Sequence, residues 1–296
     1  MRFPIRQLWV VLAFLPLIDS VLLAEEKVNA DFRPPLFAFQ TGFARAASQD
    51  PAYLSDLVAR SGFAGVELMG LQQVEPYLET LSQRNLKLYS LYLKIDLDSE
   101  QPYDAALPEL LKTHGQQLHY LWFHIHSQKF ARSDPAGDEK CVKVLRELSD
   151  LVQPYEIGIG IYHHVGQWSE RFTDGVRVAR KVGRKNVGAV FNLCHYLKTA
   201  GPAQLEAELQ DAFPHVMLVS INGADDGETT SMGWDRLIQP LDQGSFDVLR
   251  VLKVLQANHY FGPVGLQGFG ISQKPEEFFP RSVKKYQELL DKLNPS

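Results

Sequence analysis

The sequence has little cysteine and no excess of positive charge, and both shortages exclude classes of protein. Its 296 residues include two cysteines, Cys141 and Cys194, which is too few for a disulfide framework. Thirty lysines and arginines stand against 35 aspartates and glutamates, for a formal net charge of −5. Because a phosphate backbone is bound through a basic surface, we expect no nucleic-acid partner.

Long hydrophobic runs are also scarce, and the longest lies at the N-terminus. Arg2 and Arg6 precede an apolar run from Leu8 to Ile18, and the small residue Ala24 follows. This order is typical of a signal peptide, and the run is short for a membrane span. We therefore predict a signal peptide over residues 1–24, no stable membrane domain, and export to the periplasm or the extracellular space. An uncleaved N-terminal membrane anchor is the alternative.

The remaining sequence alternates short apolar runs with amphipathic stretches. The amphipathic stretches carry apolar residues at spacings of three and four, which indicates helices. The apolar runs predict eight strands: Leu36–Phe39, Gly65–Leu68, Leu86–Ile95, His119–His126, Ile157–Tyr162, Val187–Phe191, Val216–Ile221 and Pro263–Gln267.

Eight strand–helix pairs predict the α/β fold class and a closed parallel (β/α)8 barrel, or TIM barrel, as a single domain over residues 34–294. The strands are nearly continuous apolar runs, as expected where helices cover one face and a packed interior the other. An open doubly wound sheet is the alternative. It receives no support from Gln40–Phe43, which follows the first strand without a glycine-rich phosphate fingerprint.

Polar residues end most of the predicted strands, where the active site of a barrel lies. A carboxyl group and imidazoles are the usual proton-transfer groups of enzymes. We therefore predict Glu67, His163 and His195 as catalytic acid–base groups. His163 and His164 are adjacent, so at most one of them is expected to point inward.

Other residues near the predicted mouth suit the binding of a hydroxylated ligand. Amide side chains hydrogen-bond hydroxyls, and an aromatic face suits the C–H side of a sugar ring. Arg236 lies in a long loop, Gly233–Asp247, and long loops in compact domains are usually functional. The predicted substrate-binding residues are His126, Trp168, Asn192, Asn222, Arg236 and Gln267.

Four segments together resemble the xylose isomerase-like superfamily, which also contains sugar phosphate isomerases, epimerases and endonuclease IV-like barrels. They are GFAGVEL at Gly62–Leu68, NVGAVFNLCH at Asn186–His195, PLDQGSFD at Pro240–Asp247 and YFGPVGLQG at Tyr260–Gly268. The resemblance implies a (β/α)8 barrel and sugar isomerisation or epimerisation through an enediolate. It also implies a divalent metal held by Glu, Asp, His and Glu after strands five to eight.

The sequence departs from that ligand pattern at all four places. Tyr162 or His163 follows strand five, and Asn192, Ser220 and Gln267 take the next three positions. Hard divalent cations prefer anionic oxygen, so we expect weak binding of the family's usual metal. The cofactor stays open: His126, His163 and His195 are candidate ligands for zinc, manganese or cobalt, and metal-free acid–base chemistry is the alternative.

These patterns leave two hypotheses for function. The first is an exported enzyme, an isomerase, epimerase or related lyase, that abstracts a proton from a sugar or keto-sugar. The second is a non-catalytic carbohydrate-binding barrel, which the missing carboxylates favour. Both predict a small neutral sugar or polyol as ligand, and the acidic net charge excludes a nuclease.

Overall fold

A computed structural model describes residues 31–295, and the predicted signal peptide lies outside them. Eight parallel strands form a closed barrel in sequence order, with β8 paired to β1. The single-domain (β/α)8 prediction is confirmed. The strands are β1 Leu36–Ala38, β2 Gly65–Met69, β3 Lys87–Asp96, β4 Tyr120–His126, β5 Gly158–Tyr162, β6 Val187–Asn192, β7 Val216–Ile221 and β8 Val264–Leu266.

Ten α-helices occur in the described residues, and most of them connect one strand to the next. They are α1 Pro51–Ser61, α2 Val74–Ser82, α3 Leu107–His114, α4 Asp138–Val152, α5 Phe172–Val182, α6 Leu193–Ala200, α7 Leu205–Ala212, α8 Trp234–Leu237, α9 Leu249–Ala257 and α10 Pro275–Leu293. Among residues 31–295, no helix combines the length and the apolar character that crossing a membrane requires.

Large aromatic side chains fill the interior of the barrel. Successive strand residues point to opposite faces, so alternate positions enter the interior while the others pack under the helices. Gly265 makes room for two of these rings: a Cβ there would lie 2.4 Å from the Phe39 ring and 2.8 Å from the Phe37 ring. The interior cluster contains Phe37, Phe39, Tyr89, Trp122, Tyr162, Val190 and Leu218.

The sequence-based expectation missed one helix beside the site. The sequence pattern predicts a strand up to Phe191 and polar residues after it, but α6 already starts at Leu193, directly after β6. Asn192 is the N-cap, and its side chain accepts a hydrogen bond from the backbone N–H of His195. His195 therefore stands in the first turn of a helix and not on a strand end.

Candidate active site

The C-terminal ends of the strands surround a cavity of about 370 Å³. Cavities of about 300–1,000 Å³ are typical of small-molecule sites. Glu67 supplies the one carboxyl group among the lining residues. The lining consists of Phe39, Thr41, Glu67, Met69, Tyr92, Tyr162, His164, Val165, His195, Trp234, Ile238, Gln267 and Phe269.

Glu67 presents an unpaired carboxyl group to this cavity. Its neighbours Val66 and Leu68 pack in the outer core, so strand alternation turns Glu67 inward. The residue is 2% exposed, and its buried Oε2 atom has no hydrogen-bond partner among residues 31–295. Burial raises the pKa of Glu67 well above the usual range of a glutamate. Burial therefore favours the protonated form of this carboxyl group, which is able to donate a proton.

Two neutral histidines stand side by side at the ends of β5 and β6. The ring centroids of His164 and His195 are 4.2 Å apart. Nδ1 of His164 lies 2.8 Å from the Val165 carbonyl oxygen, which only accepts hydrogen bonds. Nδ1 thus carries the proton and Nε2 is left as an acceptor. Burial lowers the pKa of both rings, and for His195 the neighbouring His164 and His163 lower it further.

Asn192 ties the end of β6 to its two neighbouring strands. Its Oδ1 accepts hydrogen bonds from the His195 backbone N–H at 3.2 Å and the Cys194 thiol at 3.0 Å. Its Nδ2 donates to the Tyr162 hydroxyl at 2.6 Å and the Ser220 hydroxyl at 2.7 Å. All four hydrogen-bonding positions of the amide are thereby occupied by protein atoms. Asn192, a predicted substrate ligand, holds neighbouring side chains in place and does not line the cavity.

Gln267 lines the cavity from β8 with a fixed amide orientation. Its Oε1 accepts from the Thr41 hydroxyl at 2.7 Å and from the backbone N–H groups of Gly268 and Phe269 at 2.9 and 3.0 Å. Of the two polar atoms of the amide group, only the oxygen accepts hydrogen bonds. The three donors therefore fix Oε1 on their side, and Nε2 points the opposite way. The amide group is therefore positioned as a donor.

His163 lies outside the cavity lining, and His164 is the histidine of this pair that reaches it. His163 is fully buried against Phe172, and its Nε2 accepts the backbone N–H of Asn192 at 3.1 Å. Burial lowers the pKa of His163 to about 3. This placement differs from the catalytic role expected for His163, because its available acceptor atom is already bound to the backbone.

Four predicted substrate ligands also lie away from the lining residues, each with a partner in the protein. His126 Nδ1 lies 3.1 Å from Gln167 Oε1, and Trp168 Nε1 donates to the Asp134 carbonyl oxygen at 3.0 Å. The Asn222 amide donates to two backbone carbonyls. Arg236 forms an ion pair with Asp225 at 2.8 Å. Their position corrects the expectation that all four face a ligand at the mouth.

Tyr92, Thr41 and Met69 line the cavity although they were not among the predicted site residues. β3 is longer than β2 and continues to Asp96. Tyr92 is the β3 residue that pairs with Met69, the last residue of β2. Tyr92, in the middle of β3, therefore reaches the cavity, and Asp96 at the end of β3 does not. Leu91, Leu93 and Ile95 alternate with Tyr92 and Lys94 in β3, and this alternation was the available signal for an inward Tyr92.

The four positions where the resemblance implies metal ligands do not fit a divalent ion. The amide of Asn192 hydrogen-bonds the hydroxyls of Tyr162 and Ser220, and Gln267 completes a set without an anionic oxygen. Across residues 31–295, no group of three or more His, Cys, Asp or Glu side chains is placed to hold a metal ion. The candidate ligands His126, His163 and His195 form no such group.

Comparison with known families identifies the fold's relatives. The family model described as xylose isomerase-like TIM barrel matches residues 55–293. The chain belongs to this family. No curated protein matches the sequence.

Solved structures of the same fold are similar at low sequence identity. The 3-keto-D-glucoside 4-epimerase YcjR from E. coli is 12% identical, with 86% of this chain and 100% of that chain covered and a TM-score of 0.70. A D-allulose 3-epimerase from Methylomonas sp. is 15% identical, with 87% and 98% covered and a TM-score of 0.67. The IolI protein with a bound zinc atom is 16% identical, with 87% and 98% covered and a TM-score of 0.68.

Proposed function

We propose that the protein is a sugar epimerase or isomerase that transfers protons on a keto-sugar without a divalent metal. The observation that carries this proposal is the unpaired, buried Glu67 carboxyl group in one wall of the cavity, with the neutral His164–His195 pair in another wall. A protonated acid and an unprotonated base are the two groups that such a reaction needs.

The order of the strands supports placing these groups on opposite sides of the substrate. Glu67 is on β2, His164 follows β5 and His195 follows β6. In a closed barrel of eight strands, β2 lies three strands from β5 by the shorter way around the ring and four strands from β6 in either direction. An epimerase removes a proton from one face of a carbon and returns one to the other face, which this arrangement allows.

The proposed reaction begins with the protonation states that burial favours. Nε2 of His164 takes the proton from the carbon next to the substrate carbonyl. The C–H electron pair becomes the carbon–carbon double bond, and the carbonyl π pair moves to its oxygen. Glu67 then donates its proton to carbon on the opposite face while the carbonyl re-forms. Exchange with water at the mouth returns the proton from His164 to Glu67.

The remaining cavity wall suits a neutral sugar. Phe39, Trp234 and Phe269 supply aromatic surface for C–H groups, and Phe269 is 57% exposed. Gln267 supplies an amide donor for a hydroxyl or carbonyl oxygen. Similarity to the two epimerases at such low sequence identity supports the fold alone. The support for the activity is the set of residues that line the cavity.

Deuterium uptake in D2O tests this proposal directly. The protein is incubated with EDTA and methyl 3-keto-β-D-glucopyranoside, D-fructose or D-allulose, and exchange beside the carbonyl is followed by NMR. We expect uptake by the unmodified protein and a loss of about 100-fold or more in Glu67→Gln. Uptake that requires added manganese, cobalt or zinc would contradict the metal-free mechanism.

A non-catalytic sugar-binding barrel is the second candidate, because Glu67 is the one carboxyl group among the lining residues. It predicts saturable, EDTA-insensitive binding of these sugars by calorimetry, with no deuterium uptake by the unmodified protein. The same assay therefore separates the two functions.

We also propose that the protein is exported, on the basis of the arginines, apolar run and Ala24 at its N-terminus. Intact-mass measurement of protein recovered from the periplasm or medium should give a chain that begins at Glu25. A chain that retains Met1 in the cytoplasm would overturn the export proposal.

A further inference from the structure

We infer that Tyr162 is a catalytic residue that donates its hydroxyl hydrogen to the substrate carbonyl oxygen. This inference rests on the proposed function and adds the group that polarises the carbonyl. Tyr162 lies at the end of β5 and lines the cavity, yet it is only 2% exposed. It therefore forms part of the cavity floor.

The direction of the Tyr162 hydroxyl hydrogen follows from the orientation of Asn192. The Asn192 oxygen is held by the His195 N–H and the Cys194 thiol, so its amide nitrogen must face Tyr162. The Tyr162 oxygen consequently accepts a hydrogen bond from Asn192, and its own hydrogen points elsewhere. Across residues 31–295, the Tyr162 hydroxyl donates no hydrogen bond to a protein acceptor and only accepts the one from Asn192.

Neighbouring rings fix the position of this hydroxyl. Tyr162 packs edge-on against Tyr92 and Trp122, with ring centroids 5.1 and 5.3 Å apart. Burial raises the pKa of Tyr162 well above its usual value, while the adjacent Gln267 side chain acts in the opposite direction. The hydroxyl therefore keeps its hydrogen at neutral pH and remains a donor.

A donor held in this way stabilises charge on the carbonyl oxygen. As a proton leaves the neighbouring carbon, the carbonyl π pair moves to oxygen, where the Tyr162 O–H hydrogen bond strengthens without breaking. Such a donor needs no reorganisation when the charge develops, and it is most effective where water is excluded. A hydrogen bond from an uncharged hydroxyl thus stabilises the carbonyl oxygen, the role that the resemblance implies for a metal ion.

Tyr162→Phe removes the hydroxyl and keeps the ring. We expect kcat for deuterium uptake into methyl 3-keto-β-D-glucopyranoside to fall by about 100-fold or more, with KM changed much less. Tyr89→Phe is the matched control, because Tyr89 is a buried tyrosine of the same interior cluster that does not line the cavity. That variant should keep the activity of the unmodified protein.

Infrared spectroscopy gives a second measurement that does not depend on turnover. The carbonyl stretch of methyl 3-keto-β-D-glucopyranoside labelled with 13C at C3 should move to lower frequency on binding, and Tyr162→Phe should abolish this shift. Asn192→Asp, measured with EDTA, should also abolish it. A carboxylate keeps the cap on α6 but accepts the Tyr162 hydrogen and draws it away from the cavity.

The outcomes separate this inference from the proposed function. Full deuterium uptake and an unchanged carbonyl shift in Tyr162→Phe would overturn the role of Tyr162 and leave the epimerase proposal in place. An absence of uptake by the unmodified protein with every sugar tested would overturn both. Loss of uptake in Tyr162→Phe with an active Tyr89→Phe supports the inference.

Discussion

At the scale of single residues, Glu67 combines a structural cost with a chemical use. Its carboxyl group is buried, with neither a cation nor a hydrogen-bond partner in the part of the chain that the structure describes, and an ionised group in such a position destabilises the fold. Proteins retain groups of this kind where a shifted pKa serves catalysis. The expected consequence is that stability and activity respond in opposite directions when Glu67 loses its acidity.

Glu67→Gln should therefore be more stable than the unmodified protein at alkaline pH. The folded protein holds the Glu67 proton above pH 4.5 while the unfolded chain releases it, so the free energy of unfolding falls as pH rises. The difference between the two proteins should grow by up to about 1.4 kcal/mol per pH unit. Urea denaturation between pH 6 and 9 measures it.

Glu276→Gln provides a control with the opposite sign. Although burial raises the pKa of Glu276, hydrogen bonds from the Ala47 N–H and the Tyr53 hydroxyl lower it overall. Loss of this carboxylate should destabilise the protein above pH 4.5. If Glu67→Gln were destabilised in the same way, the interpretation of Glu67 as an unpaired buried acid would be wrong.

At the scale of elements, the junction of β6 and α6 contributes both to the stability of the fold and to the positions of the site residues. Asn192→Ala removes the cap on α6, which costs about 1 kcal/mol. It also leaves the Tyr162 and Ser220 hydroxyls without a donor, at about 1–3 kcal/mol for buried polar groups. We expect a total loss of about 2–4 kcal/mol in the free energy of unfolding, measured by urea denaturation at pH 7.

Asp50→Ala is the matched comparison, because Asp50 caps α1 through the N–H groups of Ala52 and Tyr53 and is not among the lining residues of the cavity. It removes a cap alone, so about 1 kcal/mol is expected. Equal losses in the two variants would show that the hydrogen bonds from Asn192 to the neighbouring strands contribute little.

The same region shows what the sequence was able to predict. The apolar run before Asn192 indicates β6, because parallel strands are buried on both faces. Alternation predicts that at most one of His163 and His164 points inward, but the apolar run of β5 does not show which alternate residues face the interior, so the choice was left open. Arg236 likewise pairs with Asp225 within a folded loop, and no regular spacing predicts such a contact.

At the scale of the whole molecule, buried neutral histidines set a lower pH limit for the fold. Burial lowers the pKa of His163 to about 3 and that of His124 to about 4, and also lowers those of His164 and His195. Below pH 6.5 the unfolded chain binds protons at these positions and the folded chain does not. The free energy of unfolding must therefore fall as pH decreases.

We expect this loss between about pH 6.5 and pH 4, with up to about 1.4 kcal/mol per pH unit from each histidine. Denaturant titrations across this range should give a smaller slope for His163→Gln, whose amide oxygen can still accept the Asn192 N–H. An unchanged slope in His163→Gln would contradict a neutral, buried His163.

Burial favours the uncharged forms of Glu67, His164 and His195, and with all three uncharged the cavity wall carries no net charge. An uncharged wall produces little long-range field, so there is little for dissolved ions to screen over a Debye length of about 8 Å. Affinity for an uncharged sugar should then be almost independent of ionic strength. A phosphorylated sugar would have to give up its hydration without meeting a counter-charge, so the same wall discriminates against anionic metabolites.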